Sequence, residues 1–99
     1  MTDLPVACTL SPDAIASRRA GLLPGLVRHA LSAEPQENGV RYRFAASAWP
    51  QIATTVEAER QCCRFLEFEL RLEPDEGPIT LTLTGPRGTR EFLAALIAS

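Results

Sequence analysis

Three cysteines and one glutamate are the residues of this sequence whose types and spacing could do chemistry. Cys62 and Cys63 are adjacent, Glu59 lies one helical turn before Cys63, and Cys8 lies near the N-terminus. Three thiolates suit a soft or borderline ion, because polarizable sulfur favours zinc, copper(I), mercury(II) or arsenic(III) over magnesium or calcium. Glu59 could add an oxygen ligand or accept a thiol proton. The sequence therefore predicts a metal site formed by Cys8, Cys62, Cys63 and Glu59.

The number and spacing of the thiols narrow the choice of ion. A closed zinc site with four cysteines needs one more than the chain has, and adjacent cysteines differ from the usual Cys-x-x-Cys spacing. Neighbouring side chains on a helix point about 100° apart, so we expect a linear or trigonal site completed by Cys8. This geometry favours mercury, copper(I) or arsenic(III) over zinc.

Two other interpretations of the cysteines stay open. A cysteine often behaves as a small buried hydrophobe, in which case Cys8 and Cys63 are inert parts of a structural or interaction domain. Alternatively the protein is a thiol-based redox or nucleophilic enzyme, with Cys62 as the thiol nearer solvent. The C-terminal end of a helix disfavours a thiolate, which weighs against the enzyme.

Glu59 needs a partner if its helix packs as the spacing predicts. At about 100° per residue, Glu59 and Cys63 share the core-facing stripe with Ile52 and Val56, and burying a bare carboxylate costs several kcal/mol. Arg60 is adjacent and could neutralise it, either as a structural ion pair or as the counter-charge that lets Glu59 act as a base beside a thiol. Further candidates are Arg18, Arg19, Arg41 and Arg43. Trp49 begins the same helix and could pack or stack on a ligand.

The elements that must position these residues follow from periodicity. Alternating apolar residues predict strands at 6–10, 40–44, 66–73 and 79–84, and a weaker pattern at 31–37, with Pro35, predicts an edge strand. Helical spacing predicts helices at about 12–30, 50–65 and near the C-terminus. The predicted fold is α+β. Its first six elements have the ferredoxin-like βαββαβ order, extended by a strand and a C-terminal helix, with an antiparallel sheet covered on one face by helices. The alternative takes 31–37 as a loop, which leaves a four-stranded sheet.

Local signals predict where these elements begin and bend, and which side chains of the strands face the core. Pro24-Gly25 should kink the first helix, Asn38-Gly39 should form a hairpin turn, and Ser47 should cap the second helix, with Pro50 in its first turn. The apolar residues of the last two strands are expected to face inward: Leu66, Phe68, Leu70, Leu72, Ile79, Leu81 and Leu83.

Composition bounds the class of protein. The 99 residues are 45% hydrophobic and 22% charged, which predicts one globular domain over 1–99. No apolar run reaches the roughly 20 residues that a membrane span needs, and the N-terminus does not resemble a secretory signal, so we expect a cytoplasmic protein. Ten basic residues, all arginines, against twelve acidic ones give a net charge of −2, which argues against direct nucleic-acid binding. The edges of an open sheet could pair two copies into a homodimer.

Residues 59–68 resemble a known segment, acidic-x-x-Cys-Cys-x-Phe-x-x-Phe, of a family of small, largely uncharacterised bacterial proteins. The resemblance extends to residues 7–10 and to 77–86. Similar segments are associated with heavy-metal regulators of the MerR type, so the resemblance implies soft-metal binding or sensing at Cys8, Cys62 and Cys63. This chain has no helix-turn-helix pattern, so the regulator function itself does not carry over. Arg64 stands where many relatives have proline.

Overall fold

The protein was analysed as a computed structural model that describes residues 22–98, apart from the side chains of Cys62, Leu96 and Ala98. The described elements are α1 (Leu23–Val27), β1 (Ser32–Gln36), β2 (Gly39–Phe44), a 3₁₀ turn (Ala46–Ala48), α2 (Trp49–Cys62), β3 (Glu67–Leu72), β4 (Ile79–Thr84) and α3 (Thr89–Ala98). The four strands form one sheet in the order β1-β2-β4-β3, and every neighbouring pair is antiparallel.

The sheet has one apolar face and one polar face, because residues alternate along each strand. Tyr42 and Phe44 of β2 and Ile79, Leu81 and Leu83 of β4 are buried on the apolar face. Helix α1 contacts α2 and α3, and α3 contacts β2, so the helices cover that face. The α+β class, with an open antiparallel sheet covered on one face by helices, is confirmed.

The central positions of the described sheet are held by β2 and β4, each of which pairs with a strand on both sides. The strand predicted at 6–10 lies outside the described residues. The same holds for the first part of the predicted first helix. Its last part is α1, which begins at Leu23 with Pro24 in its first turn, where the missing N–H of proline costs nothing.

The two interpretations of residues 31–37 are resolved by β1. This segment is a strand at the edge of the sheet, paired with β2 from Ser32↔Arg43 to Gln36↔Gly39. The loop alternative is therefore wrong. Pro35 fits this position because an edge strand needs hydrogen bonds on one side alone.

Three predicted boundaries are wrong by a few residues. The turn between β1 and β2 consists of Glu37 and Asn38, with Asn38 at φ 57°, while Gly39 already begins β2. Ser47 does not cap α2: it lies inside the 3₁₀ turn, and the N-cap position is Ala48 without a side-chain hydrogen bond. Pro50 does lie in the first turn of α2, but the helix ends at Cys62 rather than Phe65.

Leu72 is the exception among the residues expected to face inward. Ile79, Leu81, Leu83 and Leu66 are buried, and Phe68 and Leu70 are partly buried, whereas Leu72 is 54% exposed. It ends the edge strand β3, so no further strand of the described sheet shields its outer side. The alternation along β3 determined which face of the sheet Leu72 lies on. Its position at the end of this strand, at the edge of the described sheet, determined how much of it is exposed.

No helix among residues 22–98 is long and apolar enough to cross a membrane.

Tyr42 provides a test of the packing under the sheet. Its side chain is 5% exposed, and burial raises the pKa of Tyr42 above its ordinary value of 10.0. The neutral phenol is therefore favoured in the folded state, and its contribution to stability is full below pH 10 and is lost as pH rises through the folded pKa.

Tyr42 is the one tyrosine of the chain, so its ionisation can be followed alone by ultraviolet absorbance. We expect a titration midpoint above 10 in the native protein and near 10 in urea. In Tyr42→Phe the alkaline loss of stability should be smaller. Equal midpoints in the native and urea-unfolded protein would contradict the packing described above.

Candidate functional site

A buried thiol and a buried carboxyl meet at the C-terminal end of α2. Cys63 is 1% exposed and Glu59 is 2% exposed. The Cys63 Sγ donates a hydrogen bond to Glu59 Oε1 at 3.6 Å, and the Cys63 backbone N–H donates to the Glu59 carbonyl oxygen at 2.7 Å. The core-facing position predicted for both residues is confirmed. The thiol gives the carboxyl a polar partner inside the core, which a buried acid requires.

The end of α2 places Cys63 between helix and sheet. Cys63 has φ −102° and ψ 76°, which are not helical values. The Leu66 N–H donates to the Cys63 carbonyl oxygen at 3.1 Å, and this short turn leads into β3. Phe65 and Leu66 are buried, and the Phe65 ring packs edge-on against Phe92 of α3 with centroids 5.2 Å apart. These two anchors end the helix one residue before Cys63.

The end of α2 affects the directions that are expected for the Cys62 and Cys63 thiols. The expected divergence of about 100° assumed that Cys62 and Cys63 both belong to a regular helix. Cys62 is the last helical residue and Cys63 is not helical, so that angle does not apply. The preference for a linear or trigonal site now depends on the number of thiols alone.

The complete predicted cluster lies partly outside the described atoms. Cys8 belongs to the undescribed N-terminal residues, and for Cys62 the backbone alone is described. Among the side chains that the structure describes, no three His, Cys, Asp or Glu residues are grouped as a metal site. The described part of the candidate site is the Cys63–Glu59 pair, with the Cys62 backbone beside it.

The three predicted arginine partners that the structure describes lie elsewhere. Arg60 is exposed, as expected for a residue about 100° around the helix from buried Glu59, and no ion pair joins the two. Arg41 donates to Thr82 Oγ1 at 3.3 Å and Arg43 lies 4.0 Å from Glu73, both on the polar face of the sheet. The sheet separates these two arginines from Glu59. Arg18 and Arg19 lie outside the described residues.

Trp49 is not part of the same site. It begins α2 and is 39% exposed, whereas the cysteines lie at the other end of that helix. At a rise of about 1.5 Å per residue, the two ends are about 20 Å apart. A ligand held by Cys62 and Cys63 would not reach the indole ring.

Helical spacing predicts Thr55 at the half-exposed edge of the core-facing stripe, but the structure buries it. It is 2% exposed and precedes Glu59 by one helical turn, so Thr55, Glu59 and Cys63 form a buried polar stripe along α2. The spacing of four residues between successive members was the available signal. Threonine also occurs at half-exposed boundaries, so the residue type by itself did not predict that Thr55 is buried.

No family model, no curated protein and no solved structure matches this chain.

Proposed function

We propose that this protein is a cytoplasmic, non-enzymatic protein that binds or senses a soft metal or metalloid ion through Cys62 and Cys63, with Cys8 as the third sulfur ligand. The observation that supports it is the buried Cys63–Glu59 pair at the end of α2, adjacent to Cys62. Glu59 is the candidate oxygen ligand.

The preferred ions are mercury(II), copper(I) and arsenic(III), with zinc less suited. Two thiolates satisfy a linear coordination sphere and three satisfy a trigonal one, whereas structural zinc is held by four ligands. A metal bound by thiolates also needs its ligands sheltered from competing solvent, and Cys63 is 1% exposed.

Native mass spectrometry with one equivalent of mercury(II), and separately of copper(I), tests this function. With excess glutathione as a competing thiol, we expect the wild type to retain one ion and Cys62→Ser to lose it, because the competitor removes the ion from a site that has lost one of its three sulfur ligands. The matched control is Cys62→Ser combined with Thr54→Cys, which keeps three cysteines but moves one thiol two turns along α2 to an exposed position. It should also fail to retain the ion. Equal retention by wild type and Cys62→Ser would refute the assignment.

A further inference from the structure

The open polar face of the sheet carries a group of arginines that the metal site does not use. Register places Arg43 of β2 and Arg71 of β3 on either side of Thr80 in one row across the sheet. Arg41 lies in the next row of the same face, beside Thr82. Neighbouring strands are about 4.8 Å apart, so Arg43 and Arg71 start about 10 Å apart, and their long side chains can meet above Thr80.

These residues line a shallow depression rather than a flat surface. Its wall consists of Glu34, Arg41, Arg43, Arg71, Glu73 and Thr80. A second depression beside it shares three of these residues, Arg41, Arg71 and Thr80. The centre of both is therefore the space above Thr80, where three arginines lie among three carboxylates, those of Glu34, Glu69 and Glu73.

Within the described residues, one long ion pair joins these arginines to the neighbouring carboxylates. Arg71 has no ion pair within the part of the chain that the structure describes. Arg43 and Glu73 are 4.0 Å apart with side chains 54% and 36% exposed, so their ion pair is long and accessible to water. The Arg41 side chain is held over β4 by its 3.3 Å hydrogen bond to the Thr82 hydroxyl. The remaining N–H donors of the three guanidinium groups are therefore available to a bound anion.

We propose that the space above Thr80 binds a tetrahedral oxyanion, namely a phosphate group, either as the free ion or as a phosphomonoester. Guanidinium groups match phosphate oxygens with paired N–H donors, and the Thr80 hydroxyl supplies a further donor at the floor. A dianion is favoured over a monoanion, because it must compete with the carboxylates of Glu34, Glu69 and Glu73 for the same arginines.

Titration with inorganic phosphate, followed by amide chemical shifts at constant ionic strength, tests the proposal. We expect shifts confined to β2, β3 and β4, and a Kd at least tenfold higher in Arg71→Gln and in Arg43→Gln. Arg87→Gln, an exposed arginine in the turn before α3, is the matched control and should change the Kd less than twofold. Glu73→Gln should bind more tightly, because it removes the competitor of the anion for Arg43.

Several outcomes would overturn the proposal. Shifts around 85–89 in place of the sheet would assign the anion to the turn before α3. An unchanged Kd in Arg71→Gln, with thermal stability equal to that of the wild type, would show that the row of Arg43, Thr80 and Arg71 does not bind phosphate. Sulfate should bind like phosphate, and acetate at least tenfold more weakly; equal binding of acetate contradicts the preference for a dianion.

A phosphomonoester that binds more tightly than the free ion identifies the ester as the ligand, and the reverse order identifies free phosphate.

Discussion

Replacing Gly39 with alanine is expected to destabilise the protein by about 3 kcal/mol or more, which is a large part of the 5–15 kcal/mol that holds a typical domain folded. A Cβ atom at Gly39 would lie 2.0 Å from the Leu83 carbonyl oxygen and 2.9 Å from the Thr84 Cα. Both neighbours belong to the backbone of β4, so they cannot move aside as the end of a side chain can. The pairing of β2 with β4 at the centre of the sheet would have to shift.

Gly25→Ala is the matched control for this substitution. Gly25 lies in α1 and has no atom within 4 Å of the position that a Cβ would take. Alanine has the higher helix propensity, so we expect stability to stay equal or to rise by up to about 1 kcal/mol. Urea unfolding followed by circular dichroism measures both variants. A Gly39→Ala variant as stable as Gly25→Ala would show that β2 and β4 do not approach as described.

Leu81→Ala is expected to cost about 2–5 kcal/mol, and Leu72→Ala less than about 1 kcal/mol. Both leucines lie on the apolar face of the sheet, in neighbouring strands, and the substitution removes the same atoms. Leu81 of β4 is fully buried, so its loss leaves a cavity that the surrounding core cannot fill, whereas Leu72 is 54% exposed at the edge. Because both substitutions remove the same atoms, the difference between the two losses of unfolding free energy measures the effect of burial. Equal losses would mean that the edge of the sheet is covered in solution.

Local patterns in the sequence were sufficient for most of the sheet and for one face of α2. Strict alternation identified β3 and β4, because successive side chains of a strand point to opposite faces. Helical spacing placed Glu59 and Cys63 on the core side of α2, and both are buried there. These features repeat within a few residues, so neighbouring residues alone carry the signal.

Boundaries and exposure depended on contacts that the local pattern does not contain. The end of α2 before Cys63 follows from the burial of Phe65 and Leu66, and Phe65 packs against α3 about thirty residues further along the chain. The exposure of Leu72 follows from its position at the end of β3, which lies at the edge of the described sheet. Neither fact is encoded in the residues next to the position concerned.

The sequence by itself therefore determined the α+β class, the apolar face of the sheet and the inward orientation of Glu59 and Cys63. The pairing of β2 with β4, which are not consecutive along the chain, was decided by tertiary structure alone. The row that joins Arg43, Thr80 and Arg71 comes from three strands, and it exists because β4 pairs with β2 on one side and with β3 on the other. A shift of one residue in either pairing would turn the side chains of that strand to the opposite face. Register is fixed by burying the apolar face of all strands at once, so it belongs to the assembled core and not to any one segment.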